Sequence, residues 1–277
     1  MAVLKLTGSA PLLSGRVPVS WSPDHIDLSE LKWATPFDVV VLAIVWTRLE
    51  EQGQVPTIEL PHDPSVRAYL VDVGLADVIG GRWDAHAAST ADPPLIRLVR
   101  LASADAWDDL QPELWPAAHA ILDDPDLVLR TFDILGELVD NAATHGQGPA
   151  GTFVCAQRYT GASSGLPPGV WLGIADGGRG IPAHLRLNPK YRDIERDEQL
   201  IQLSRRPWVT GTRDRRGWGL VEVFEEAAKS GPSELIIRSG RGEGYFRLRS
   251  TNRPHARYRP LRPAIPGAWV HLRVEGG

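Results

Sequence analysis

The stretch ELVDNAATHG, Glu137 to Gly146, decides how this chain is read. A carboxylate, a carboxamide and an imidazole recur in it at four-residue intervals, at Glu137, Asn141 and His145, among helix formers and apolar residues. Residues four apart on an α-helix lie about 40° apart around its axis, so these three form one polar stripe. Leu135, Leu138 and Ala142 fall on a neighbouring apolar face. Asp124 before Pro125 is a helix start, and Gly146 and Gly148 are stops, so one helix is predicted between them. His145 reads as a helix-end or core residue rather than as a catalytic one.

Two glycine clusters follow. TFVCAQRY (Thr152 to Tyr159) and VWLGIAD (Val170 to Asp176) read as strands, and the second runs into DGGRGIP, Asp176 to Pro182. One fixed carboxylate followed by Gly177, Gly178 and Gly180 suits a loop wrapped closely around a flat or anionic ligand, because glycine permits positive φ and close backbone approach. The second cluster lies in GTRDRRGWGLVEVFEEAAKSG, where Gly217 and Gly219 precede a predicted helix from about Leu220 to Lys229. Amide groups at such a helix start face an anion with the helix dipole behind them. Arg213, Arg215 and Arg216 stand just before, and no GxxxxGK[ST] phosphate loop occurs.

In this order the three boxes resemble the nucleotide site of the gyrase, heat-shock-protein-90, histidine-kinase and mismatch-repair (GHKL) ATPase superfamily, over roughly residues 115 to 275. The resemblance implies a Bergerat-type α/β sandwich and two cofactors, ATP and Mg²⁺. It implies that Asn141 binds the Mg²⁺ that bridges the phosphates, and that Glu137 is the general base for an attacking water or hydroxyl. Asp176 would accept a hydrogen bond from the adenine amino group, and Gly178 and Gly180 would form the wall beside the base. Gly217 and Gly219 would wrap the phosphates, with Leu220 beginning the helix behind them. Residues 183 to 216 would be the ATP lid. VTGTR (Val209 to Arg213), with Thr212 and Arg213, resembles the short segment near its end. SELIIRSG and GAWVHLRV resemble the closing strands of the fold, with one departure: the usual Gly-Thr reads Gly267-Ala268.

The first ninety residues give strand, strand, helix, strand, helix, from VPVSW, IDLSEL, a helix opened by Pro36 and running to about Glu51, VPTIEL, and a helix capped by Asp63-Pro64. IDLSELKWATPFDVVVLAIV is similar to the strand, turn and helix of STAS (anti-sigma-factor antagonist) domains. In those a Ser or Thr at the helix start can be phosphorylated, which points to Thr35, although the usual Asp-Ser pair is absent. Gly80, Gly81 and the run to Pro94 read as a boundary, so the expected organisation is a STAS-like α/β regulatory domain over 1–92 and a GHKL ATP-binding domain over 93–277. LIRLVRL (Leu95 to Leu101) is one more strand.

Composition fits a folded chain with two cores: 277 residues, 43% hydrophobic and 23% charged. A net charge of −4 argues against non-specific nucleic-acid binding. The single Cys155 excludes an intrachain disulfide and any multi-thiolate zinc site, as suits a reducing cytoplasm. No apolar run reaches the roughly 20 residues of a membrane span, and MAVLKLTGSA does not read as a signal peptide. The expectation is a cytoplasmic, Mg-ATP-binding regulator with a protein partner or a second copy of itself, acting as an ATPase or a serine/threonine protein kinase. The alternative is a catalytically weak module whose nucleotide gates partner binding. A sensor histidine kinase is disfavoured because Pro112, Pro116 and Pro125 interrupt the segment around His119. A topoisomerase or mismatch-repair role is disfavoured by the lack of a transducer domain or basic nucleic-acid face.

Overall fold

The computed structural model describes residues 2–13, 22–80, 83, 94–101, 103, 105–121, 124–145, 148–160, 168–211, 219–229, 233–249 and 252–275. The fold is mixed α/β. In chain order it has strands β1 (Val3–Lys5), β2 (Gly8–Ser9), β3 (His25–Asp27) and β4 (Leu31–Trp33), then helix α1 (Pro36–Glu51). Strand β5 (Thr57–Glu59), helices α2 (Pro64–Asp72) and α3 (Leu75–Ile79), strand β6 (Ile96–Leu101) and helices α4 (Asp105–Ile121) and α5 (Pro125–His145) come next. Strands β7 (Thr152–Tyr159) and β8 (Gly169–Asp176), helices α6 (Gly180–Leu185), α7 (Asp197–Ser204) and α8 (Gly219–Lys229), and the hairpin β9 (Ser233–Arg249) and β10 (Asn252–Val274) complete it. None of the described helices is long and apolar enough to cross a membrane.

The centre is a five-stranded sheet in the order β6-β7-β8-β10-β9, antiparallel throughout. Because side chains alternate across a strand, it has two apolar faces. Val154, Ala156, Val170, Leu172, Ile174, Val270 and Leu272 face one core with α4, α5 and α8. Phe153, Cys155, Ala175 and Trp269 face a second core. That second core is supplied by the N-terminal elements: the parallel sheet β1-β3-β5, the β2-β4 pair, and α1, which is buried on nearly all sides.

Helix α1 begins as its sequence dictates. Thr35 is the N-cap, Pro36 occupies the first turn, and a capping box joins Thr35 to Asp38. The Thr35 hydroxyl donates to Asp38 at 2.6 Å, and Asp38 also accepts the Leu12 backbone N–H at 2.8 Å. Both residues are completely buried, and burial raises the Asp38 carboxyl above its ordinary value against these donors. Thr35 is therefore a buried structural cap, out of reach of a kinase unless the start of α1 opens.

Several expectations change in detail. IDLSEL spans the end of β3, a turn and the first residue of β4 rather than one strand, and β1 and β2 have no counterpart among the expected strands. VPVSW and the 84–93 linker lie outside the described residues. The segment around His119 is helical through both Pro112 and Pro116, and Trp107 and Trp115 of this helix pack on Phe132 of α5 at centroid distances of 5.9 and 5.0 Å.

Candidate functional site

Between α5, α8, the α6–α7 segment and the sheet lies a cavity of about 390 Å³. That size falls within the roughly 300–1,000 Å³ of small-molecule sites. Glu137 and Asn141 reach it from α5, Asp176 from the end of β8, Gly180 from the start of α6 and Leu220 from α8. Its apolar wall includes Leu138, Ile174, Ile181, Leu185, Ile237 and Val270.

Asp176 is 2% exposed. Its Oδ1 accepts the Gly178 backbone N–H at 2.9 Å and its Oδ2 that of Ala268 at 3.1 Å. Burial pushes its carboxyl up to about 7, against those two N–H groups, which hold it down. The backbone around it needs glycine. A Cβ on Gly267 (φ +69°) would lie 1.9 Å from the Asp176 carbonyl oxygen, and one on Gly180 (φ +76°) would lie 2.4 Å from Ser239 Oγ. Ser239 Oγ in turn accepts the Ile181 N–H at 2.9 Å and donates to the Gly267 carbonyl at 2.7 Å. One buried hydroxyl thus ties β9, α6 and the turn before Ala268 together behind Asp176.

At the α5 wall the Asn141 amide nitrogen donates to the Glu137 carbonyl at 2.7 Å, leaving Oδ1 as its hard oxygen donor. Glu137 is half-buried. Its carboxyl is pushed up to about 7, first by burial, then by Glu222 of α8 and by Asp140 and Asp133 of its own helix. Glu137, Asp140 and Glu222 all line the cavity, and no Lys or Arg among the described residues does. This wall repels a bare anion and suits a cation. Within the described residues no cluster of three or more His, Cys, Asp or Glu side chains could hold a metal ion, so an ion here would depend on the Asn141 carboxamide and on ligand oxygens.

The cavity brings together Glu137, Asn141, Asp176, Gly180 and Leu220. Gly178 touches Asp176 through its N–H, and Gly219 opens α8. Thr212, Arg213 and Gly217 lie outside the described residues, as does the His145 side chain. Glu222, His184 and Ser239 were not singled out from sequence, and Thr210 was named only within VTGTR. Glu222 carried the one available signal, an acidic residue three positions into the helix that follows Gly219. Of the expected lid, residues 183–211 are described: α6, a 3₁₀ turn at Pro189–Tyr191 and α7, with His184, Leu185, Val209 and Thr210 facing the cavity. No protein-family model matches this chain, and neither the curated proteins nor the solved structures contain a match.

Proposed function

We propose that the chain is a regulatory Mg-ATP-binding protein of the GHKL kind, cytoplasmic, and that it transfers the γ-phosphoryl group of ATP to water or to a protein Ser/Thr hydroxyl. The observation that carries this reading is the convergence on one cavity of Glu137 and Asn141, Asp176, Gly180 and Leu220 from four separate elements. An isolated ExxxN or Asp-Gly-Gly would carry nothing; their meeting in one cavity does.

Asp176 would accept a hydrogen bond from an exocyclic amine, with the apolar wall taking the faces of a flat ring. Asn141 Oδ1 would hold the Mg²⁺, which supplies neutralisation of phosphate charge; the carboxylate-rich wall fits a cation and explains why phosphate would not enter without one. A Glu137 carboxyl near 7 is matched to taking a proton from an attacking hydroxyl at neutral pH. A second reading, nucleotide gating with little turnover, is favoured by one feature: His184, Val209 and Thr210 of the 183–211 segment form part of the wall, so an occupant touches the segment that would move.

Incubation with Mg²⁺ and ATP labelled on the γ-phosphate tests the proposal, following free phosphate and label on protein, with Glu137→Ala as control. Glu137-dependent phosphate or protein label is expected. Separately, ATP should raise the Tm of wild type and not of Asn141→Ala, since saturation at a hundred times Kd stabilises by about 2.7 kcal/mol. Equal shifts for both proteins would refute the assignment of Asn141, and turnover unchanged in Glu137→Ala would refute that of the base.

A further inference from the structure

Charge is segregated along this chain. Between Arg241 and Arg262 there are seven arginines and one acidic residue, Glu243, a local net charge of +6 that leaves −10 for the rest. The segment is the outer part of the β9–β10 hairpin, and cross-strand pairing sets its faces. Arg247 lies opposite His255, Tyr245 opposite Arg257 and Glu243 opposite Arg259, so all six share one face. The other face holds Phe246 and Tyr258, which pack together at 5.6 Å, with Phe224 of α8 against Phe246 at 4.8 Å. Beyond the buried Glu243 the hairpin therefore has an apolar inner side and an arginine-rich outer one. Arg241, Arg247, Arg257 and Arg262 are exposed, and among the described residues none of them is in an ion pair. Glu243 is occupied already, by Arg238 and Arg259.

The complementary surface is on the same chain. Between Asp105 and Asp126 there are seven acidic residues and no Lys or Arg. Asp105, Asp108 and Asp109 are exposed on α4, and none of these three is in an ion pair among the described residues. Helix α4 packs beside β6, whereas the arginine face belongs to β9 and β10; β6 and β9 are the two edges of the five-stranded sheet. Four strand spacings, about 19 Å, separate those edges, well over a Debye length, so the two patches do not neutralise each other within one molecule.

We propose that the arginine face of the β9–β10 hairpin docks on the acidic face of α4 of a second copy of this chain. A two-fold pair makes the contact twice, each hairpin lying on the other copy's α4. The occupant is a second copy because opposite charge, the unpaired aspartates of α4, is displayed at the opposite edge of the same sheet, which no other partner has to be invoked to supply. Such an interface gains orientation and association rate from its charge pattern, and it weakens with salt.

Sedimentation velocity of the full chain at about 0.1 M and 1 M salt tests this, because the Debye length falls from about 10 Å to about 3 Å between them. A dimer at low salt that dissociates at high salt is expected. Arg247→Glu/Arg257→Glu and Asp108→Lys/Asp109→Lys should each be monomeric at low salt, with unchanged circular dichroism. Their equimolar mixture should regain a dimer, since the reversed hairpin then meets the reversed α4 while the other contact stays wild type. A monomer at both salt concentrations overturns the proposal and leaves the arginines as protection of a sheet edge. A dimer indifferent to both reversals also overturns it. So does a wild-type monomer that binds a fluorescent single-stranded 20-nucleotide DNA through Arg247 and Arg257, because the partner is then nucleic acid.

Discussion

Asp176 can accept a hydrogen bond from a ligand amine best when ionised, yet its burial places the carboxyl near 7. In Glu137→Ala, which lacks the other cavity carboxyl near 7, affinity for an adenine nucleotide should therefore rise about tenfold between pH 6 and pH 8, as the ionised fraction of Asp176 goes from about a tenth to about nine-tenths. Calorimetry in two buffers of different ionisation heat should detect the released proton; a flat profile would remove Asp176 from the site. The stability effect has the opposite sense. A carboxyl whose folded value lies above its unfolded value of 3.8 lets the native state hold the proton longer, so stability is lost as pH rises from about 4 to 7. About three units correspond to about 4 kcal/mol at most. Asp176→Asn should raise the ligand-free Tm more at pH 8 than at pH 5. A second residue-scale prediction concerns Trp208. The Val209 N–H bonds to the Arg206 carbonyl at 3.3 Å around Pro207 and Trp208, and Trp208 has φ +65° with 58% exposure. That is the turn position normally given to glycine, and the left-handed conformation costs an L residue about 1–2 kcal/mol. Trp208→Gly should raise the urea midpoint; a fall would mean that contacts of the indole outweigh the strain. Asn141 and Asp176 were legible in the sequence because each sits beside local punctuation, a helix period or a glycine run. Ser239 was not, since its partners Ile181 and Gly267 come from 58 and 28 residues away.

The start of α1 and the middle of β8 meet more closely than any side chain would allow. A Cβ on Gly173 would stand 2.5 Å from the Pro36 carbonyl oxygen and 2.7 Å from the Phe37 nitrogen, so backbone packs on backbone there. Gly173→Val should lower the urea midpoint with an unchanged m-value, a loss of about 1–3 kcal/mol or more. An unchanged midpoint would mean that α1 is not held where the packing places it. Helices α1 and α5 and strands β7 and β8 could be read from sequence because start signals and patterning extend over many residues: Pro36 and Asp124-Pro125 both open helices as expected. Strands of two or three residues such as β1 and β2 offer no period to detect. Helix α4 escaped for another reason. Pro112 and Pro116 argue locally for a break, but the packing of Trp107 and Trp115 on Phe132 prevails.

At the scale of the molecule, the two cores meet across one sheet, and this decides how the chain unfolds. Sequence punctuation at Gly80 and Gly81 suggests two separable units, and pattern reading has no means of seeing which faces remain open after each unit folds. Here the second face of the five-stranded sheet presents Phe153, Cys155, Ala175 and Trp269 to α1, all 1% exposed or less. The link is also polar. Arg238 of β9 is 2% exposed, pairs with Glu243 at 2.6 Å, lies 5.3 Å from the centre of the Phe37 ring, and donates to the carbonyls of Leu12 and Leu13. Removing residues 1–92 would bare that face and leave the Arg238 donors without those carbonyls, a combination that a marginally stable domain does not survive. The 93–277 fragment should therefore be aggregated or should bind a hydrophobic dye. The full chain should unfold in urea in a single transition, with tryptophan fluorescence and far-ultraviolet circular dichroism coincident. A monomeric 93–277 fragment with its own cooperative transition would show instead that the sheet is complete without α1, and that the N-terminal half is an attachment rather than a layer of the core.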